Sequence, residues 1–236
     1  MRVERSEHVR VVSQQRRIAA EALGTALLVA AVIGSGIMAQ RLTGDRAVAL
    51  LANTIATGGA LVAILLIFGP ISGAHLNPAV TLSMVAMKEQ TPRSAAGYIV
   101  AQIAGGIIGA VLANAMFELP PVTWSITTRT GAAQLLSEAV ATFGLMGVVV
   151  AVGRTRAAAT PFAVAAYIVA AYWFTASTSF ANPAVTIARA FSDTFAGIRP
   201  VDVGGFLAAQ AAGATIGAVV FSWLVPISRS ASLTTD

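Results

Sequence analysis

Cysteine is absent from the 236 residues. Disulfides, thiolate nucleophiles and thiolate metal sites are therefore excluded, and redox usage carries no information about compartment. Charge is nearly as scarce, with Asp, Glu, Lys and Arg making up only 11% of the chain against about 25% in an average soluble domain. The mean hydropathy of +0.78 agrees. Such a chain is solvated by lipid and reads as an integral membrane protein. Its formal net charge of +5 is concentrated near the start, at Arg2, Arg5, Arg10, Arg16 and Arg17, where anionic headgroups are nearer partners than nucleic acid. Glu4 and Glu7 interrupt that basic segment. The apolar run behind it is of full spanning length with no small-residue cleavage pattern, so it reads as a retained first span.

Runs long enough to cross a bilayer lie at about 18–40, 46–69, 94–117, 132–152, 160–179 and 203–225. Two further segments are too short to cross. Each begins with Asn-Pro, at Asn77-Pro78-Ala79-Val80 and Asn182-Pro183-Ala184-Val185. Asn is a favoured N-cap, and Pro in the first turn has no N–H to lose and a φ already set for a helix. The helices expected from Asn77 to about Met87 and from Asn182 to about Phe191 reach only about 15 Å, half of the hydrocarbon core. They read as re-entrant. Irregular backbone at that depth, at 69–75 and 175–181, is tolerated only where protein buries it or it lines a wet cavity.

An internal repeat connects the two segments. Tyr98 to Leu112 matches Phe206 to Val220 at eight of fifteen positions, with Gln102 over Gln210, and Glu21 and Glu138 occupy matching places in the first and fourth spans. Three spans per half is an odd number. The second half must then enter from the opposite side, an inverted repeat with its special site at the midplane, where the two Asn-Pro starts meet head to head. The expected division is a basic cytoplasmic tail (1–17), a first repeat (18–117), a linker (118–131), a second repeat (132–225) and a C-terminal tail (226–236), within one channel domain. With both termini cytoplasmic, ten Lys and Arg fall inside, among them Lys88, Arg93, Arg154, Arg156 and Arg229. Arg41, Arg46, Arg129, Arg189 and Arg199 fall outside. The positive-inside bias therefore favours N-in and C-in.

These residues resemble the aquaporin superfamily, the major intrinsic proteins, over nearly the whole chain. The resemblance rests on Ser72-Gly73-Ala74-His75-Leu76-Asn77-Pro78-Ala79-Val80, on Ser179-Phe180-Ala181-Asn182-Pro183-Ala184-Val185, on the Ala20-Glu21-Ala22-Leu23-Gly24-Thr25 opening and on the paired Gln102 and Gln210. A lone Asn-Pro-Ala box is weak; two at matched places of an inverted six-span repeat are specific. The resemblance implies an all-α bundle of six transmembrane helices plus two re-entrant half-helices, in a cell membrane. It further implies one pore per protomer, a homotetramer, and passive flow of water or small neutral solutes without a cofactor. It also implies that Glu21 and Glu138 are buried acceptors bracing the re-entrant loops.

Elementary electrostatics supplies a rationale for the boxes. Opposed helix N-termini place two positive dipole ends at the pore centre, where the Asn77 and Asn182 amides can donate, so cations and protons are disfavoured. His75 reads as a hydrogen-bonded pore-wall brace. Gly105/Gly109 and Gly213/Gly217 read as small-xxx-small packing pairs.

Counting from the boxes, the family's outer filter is expected at Thr57, Ala170, Ser179 and Val185; on the fifth span a one-residue shift would substitute Ala171, and Tyr172 or Trp173 lies close by. The usual aromatic and the usual arginine are both missing from those places, which implies a wide filter. Arg189, one turn after Val185, is placed to reach back into the mouth. The function expected is a passive channel for water and small uncharged solutes such as glycerol or neutral metalloid hydroxides of the arsenite or borate type. A strict water channel is the alternative. A coupled secondary transporter would be expected to carry ion-coordinating carboxylates at the unwound segments, where this chain has Asn, Ser, Thr and His. No nucleophile–base pair or metal cluster lies near either loop, so an intramembrane enzyme is not expected.

Overall fold

A computed structural model describes residues 12–226. Arg2, Arg5, Arg10 and Arg229 of the charge-bias argument lie outside the described residues, as do Glu4, Glu7 and most of both tails. Eight principal helices follow one another: α1 (Gln14–Leu42), α2 (Arg46–Ser72), α3 (Pro78–Ala86), α4 (Pro92–Met116), α5 (Ala132–Gly147), α6 (Thr160–Phe174), α7 (Pro183–Arg189) and α8 (Pro200–Leu224). Helix α5 continues through a π-helical stretch at Val148–Val152 and a short turn at Gly153–Thr155. Six of these helical units are long and apolar enough to cross a membrane. Helices α3 and α7 are the two short ones.

The element ends follow local chemistry. Asp45 caps α2 by accepting from the N–H groups of Ala47 at 2.7 Å and Val48 at 3.1 Å. Thr91 caps α4 through Ser94, ahead of Pro92 at the first turn. Helix α1 begins four residues before the expected 18 and α8 three before the expected 203, and two further differences lie next to the short helices. Helix α2 runs on through Pro70 to Ser72 and is closed by Gly73 at φ 88°, a left-handed position that suits glycine. Helix α6 stops at Phe174 instead of 179. Thr175 turns its hydroxyl back to the Ala171 carbonyl at 2.6 Å, and the chain then becomes the irregular segment leading to α7.

One close pairing recurs in both halves, the first span against the third. Helix α1 lies along α4 and α2, and α5 lies along α8. Glycine permits both close crossings. A Cβ on Gly105 would overlap the Ala22 carbonyl, one on Gly109 the Ala26 carbonyl, and one on Gly213 the Ala139 carbonyl. At Gly217 it would meet the Phe143 carbonyl at 2.8 Å. In each case backbone stands in the way, joined at Gly217 by the Met146 Cβ at 2.8 Å, so helix axes must separate to admit a methyl group.

We expect Gly105→Ala and Gly213→Ala to lower the melting temperature of the detergent-solubilised protein, at a cost of about 1–3 kcal/mol each. Gly204→Ala, where a Cβ meets nothing within 4 Å, serves as the control. Equal melting of Gly105→Ala and Gly204→Ala would show that the α1–α4 contact is loose.

Candidate functional site

Each short helix begins in the same way. Asn77 and Asn182 both have φ −155°, and their side-chain oxygens accept from the Ala79 N–H at 2.9 Å and the Ala184 N–H at 3.0 Å. The side-chain nitrogens reach across the molecule. Asn77 Nδ2 donates to the Ala181 carbonyl at 2.8 Å, and Asn182 Nδ2 donates to the Leu76 carbonyl at 2.7 Å. Each box thus holds the residue just ahead of the other box. Pro78 and Pro183 occupy the first turns, while Ala79 and Ala184 supply the capped N–H groups. One N–H of each amide remains for the lumen.

The approach to each box is strained in the same register. Ala74 and Leu76 have φ 46° and 50°, and Ser179 and Ala181 have φ 50° and 48°, three and one residues before the respective Asn. Left-handed backbone at non-glycine residues costs about 1–2 kcal/mol each, so something must hold it. Two buried carboxylates do. Glu21 accepts from the N–H groups of His75 at 3.0 Å and Leu76 at 2.6 Å, the Ser72 hydroxyl at 2.6 Å and Gln102 Nε2 at 2.8 Å. Glu138 accepts from Phe180 N–H at 2.8 Å, Ala181 N–H at 2.9 Å and Gln210 Nε2 at 2.6 Å. The two glutamines also donate to Thr81 and Thr186, each four residues into its short helix, at 3.0 and 2.8 Å. His75 joins the first set, with Nδ1 and the Thr81 hydroxyl 3.1 Å apart and its ring edge-on to Tyr98 at 5.4 Å.

A cavity runs past both boxes, lined by His75, Asn77 and Asn182 and walled by helices. Its wall residues recur every four positions: Thr57, Leu61 and Leu65 on α2, and Thr160, Val164, Ile168 and Tyr172 on α6. That spacing keeps a side chain on one helix face. Ala170 stands two residues off the α6 stripe, about 200° around the helix. It is exposed on the outer surface and does not line the cavity. The residue expected there from the boxes is therefore replaced by Tyr172, whose hydroxyl lies 3.4 Å from Thr57 Oγ1. This end of the cavity is not free of aromatics. The aromatic comes from α6 instead of α2.

Thr57, Ser179, Val185 and Arg189 all line the same cavity. The Ser179 hydroxyl is buried without a hydrogen-bond partner among the described residues. Arg189 donates through Nε to the Ala196 carbonyl, its guanidinium carbon is 3.3 Å from the centre of the Phe180 ring, and its terminal N–H groups have no acceptor among the described residues. The sequence reading singled out neither Phe180 nor Arg129, which stacks on the same ring at 4.8 Å. Arg129 lies outside the spanning segments, and burial draws it down to about 10, an effect Glu138 partly opposes. It stays charged at neutral pH. Among the described residues, no group of three or more His, Asp or Glu converges as a metal site.

Comparison with known proteins places this geometry among relatives. A family model described as major intrinsic protein matches residues 8–169. Aquaglyceroporin AqpS of Rhizobium meliloti (strain 1021) is 56% identical over 214 residues, covering 91% of this chain and 92% of that protein. Aquaporin NIP6-1 of Arabidopsis thaliana is 37% identical over 149 residues, 62% of this chain and 48% of that protein. The X-ray structure of the aquaglyceroporin from Plasmodium falciparum superposes with a TM-score of 0.68 at 19% identity, covering 90% of this chain and 95% of that one. At that identity the likeness is one of fold.

Replacing Glu138 or Glu21 by Ala leaves two backbone N–H groups of the strained loop unpaired, at about 1–3 kcal/mol each. Gln keeps one acceptor oxygen. Melting and yield of the solubilised protein are therefore expected to fall in the order Glu, Gln, Ala at both positions. Indistinguishable Gln and Ala variants would show that the loops hold themselves.

Proposed function

From the premise that the chain belongs to the major intrinsic protein family, a family of membrane channels and not enzymes, we propose that the cavity past Asn77 and Asn182 conducts water and small uncharged solutes passively. The observation that carries this reading is the pair of opposed boxes in the lumen. Their helix N-termini point at one another, their amides each keep one N–H for a passing solute, and no carboxylate lines the cavity beside them. A neutral solute exchanges water for these donors. A cation finds positive dipole ends and no counter-charge, and an ion of either sign meets mostly apolar walls at a cost of several kcal/mol.

Thr57, Tyr172, Ser179, Val185 and Arg189 form the filter in this reading, with Glu21 and Glu138 as loop braces and His75 as part of the wall. With N and C termini cytoplasmic, the filter faces outward. Assembly as a homotetramer, residence in the cell membrane and the division into repeats 18–117 and 132–225 belong to the same proposal. The name of the 56% identical relative, an aquaglyceroporin, supports glycerol as a cargo. Neutral metalloid hydroxides of similar size and hydroxyl count fit the same donors. One observation favours the narrower reading of a strict water channel: the Tyr172 hydroxyl reaches to 3.4 Å from Thr57 across the filter.

Stopped-flow light scattering of proteoliposomes separates the two. A solute channel shrinks fast and then re-swells fast in glycerol; a strict water channel shrinks fast without fast re-swelling. Tyr172→Ala removes the aromatic wall and is expected to raise glycerol permeability relative to water. Thr57→Phe sets a second ring against Tyr172 and is expected to lower it. If both variants change water and glycerol by one common factor, these residues do not form the filter. A second measurement addresses coupling. Solute uptake at a fixed solute gradient is expected to ignore an imposed proton or sodium gradient, and uptake that rises with either would sink the channel reading in favour of a coupled transporter.

A further inference from the structure

The filter arginine of this chain has unusual support. Arg189 rises from the last turn of α7, and only its Nε is tied by a hydrogen bond among the described residues, to the Ala196 carbonyl. Its guanidinium also lies against the face of Phe180. Both supports lead to one side chain. Arg129, in the connection before α5, donates Nε to the Gly197 carbonyl at 2.7 Å and Nη2 to the Phe195 carbonyl at 3.3 Å, the residues on either side of Ala196. Its Nη1 donates to the Ser177 carbonyl at 3.1 Å, two residues before Ser179 of the filter. Its guanidinium stacks on the ring that Arg189 also contacts. The Arg129 N–H is itself anchored on Asp202 at the start of α8 at 2.9 Å.

We propose that Arg129 is a positioning residue for solute selection: it sets where the Arg189 guanidinium stands in the outer filter by fixing both the Ala196 carbonyl and the Phe180 ring. The inference rests on the filter reading given above. Arg129 does not line the cavity, so it acts on a solute only through its neighbours. A planar fork suits the task, because three carbonyls from two separate segments are held at once while the flat face remains free for the ring. Like charge adds direction. Two guanidiniums on one phenyl ring repel, and Arg129, being held by three carbonyls, is the one that stays.

A merely structural staple would also hold these loops, so the test must read selection and not only stability. The measurement is the glycerol-to-water permeability ratio in proteoliposomes for Arg129→Met, Arg189→Ala and the double variant. Arg129→Met alone is expected to shift the ratio by about threefold or more, and to leave it unchanged in the Arg189→Ala background, since contacting residues couple and independent ones add. An equal shift in both backgrounds, or none in the native background, overturns the proposal. Arg129→Lys keeps the charge without the fork and is expected to behave like Met; a native ratio in the Lys variant assigns the effect to charge alone and overturns positioning. If Arg129→Met does not assemble, Phe180→Leu takes its place in the same cycle, with the same two outcomes. An Arg189→Ala channel of native ratio is a different failure, which overturns the filter reading on which the inference rests.

Discussion

Two crossed hydrogen bonds set the terms for the rest of the molecule. Asn77 gives an N–H to the residue before Asn182, and Asn182 gives one to the residue before Asn77. For that exchange both chain segments must reach the same depth from opposite sides, and both must present a carbonyl just ahead of a helix start. The left-handed residues at Ala74, Leu76, Ser179 and Ala181 accomplish the second requirement at a cost in backbone strain. Glu21 and Glu138 are then needed to hold the strained N–H groups, and Gln102 and Gln210 tie those carboxylates to Thr81 and Thr186 on the short helices. The glycine crossings follow in turn. A carboxylate on α1 reaches Gln102 on α4 only if the two axes lie close.

Much of that chain of dependence was legible in the sequence because it is written twice. A helix-capping Asn-Pro is ambiguous once, but a second copy in an inverted half fixes its depth and direction. The same doubling picked out Glu21 with Glu138 and Gln102 with Gln210. Where the halves diverge, reading from the boxes failed. Ala170 was placed by counting along the chain, yet the α6 side chain that meets the lumen is chosen by helical phase, and the four-residue stripe of Val164, Ile168 and Tyr172 gives that phase. The stripe was present in the sequence and would have found Tyr172. Arg129 is a different case. Nothing local marks an arginine in a connecting loop as the clamp of three distant carbonyls, because its partners come from 68, 66 and 48 residues away.

The bond census of the amides also bears on what passes. An Asn amide has one acceptor oxygen and two N–H donors. Here the oxygen caps the short helix and one N–H crosses to the other half, so each box offers a solute a single donor and no side-chain acceptor. A molecule at the centre can meet one N–H from each amide. Water there must turn its oxygen toward the two amides and its hydrogens away, toward neighbours on either side, which breaks a continuous proton wire at that point. Polyols and metalloid hydroxides can satisfy the same donors through any one hydroxyl oxygen, so the centre does not rank them.

On the filter reading proposed above, ranking is left to the end of the cavity where Tyr172 and Arg189 stand. The polar groups there are unequal in freedom. The Thr57 and Tyr172 oxygens face one another, the Ser179 hydroxyl is buried without a partner, and the Arg189 terminal N–H groups have no acceptor among the described residues. A solute entering gains most by offering acceptor oxygens to Arg189 while placing its carbon or metalloid skeleton against Val185 and the Tyr172 ring. An alkyl solute of equal width leaves those donors unpaired at about 1–3 kcal/mol each, and a cation meets a fixed positive charge before it reaches the boxes. Width is thus only one part of the filter. In that reading the stronger discrimination comes from which side of the solute can face the guanidinium, and that depends on how firmly Arg189 is held in place.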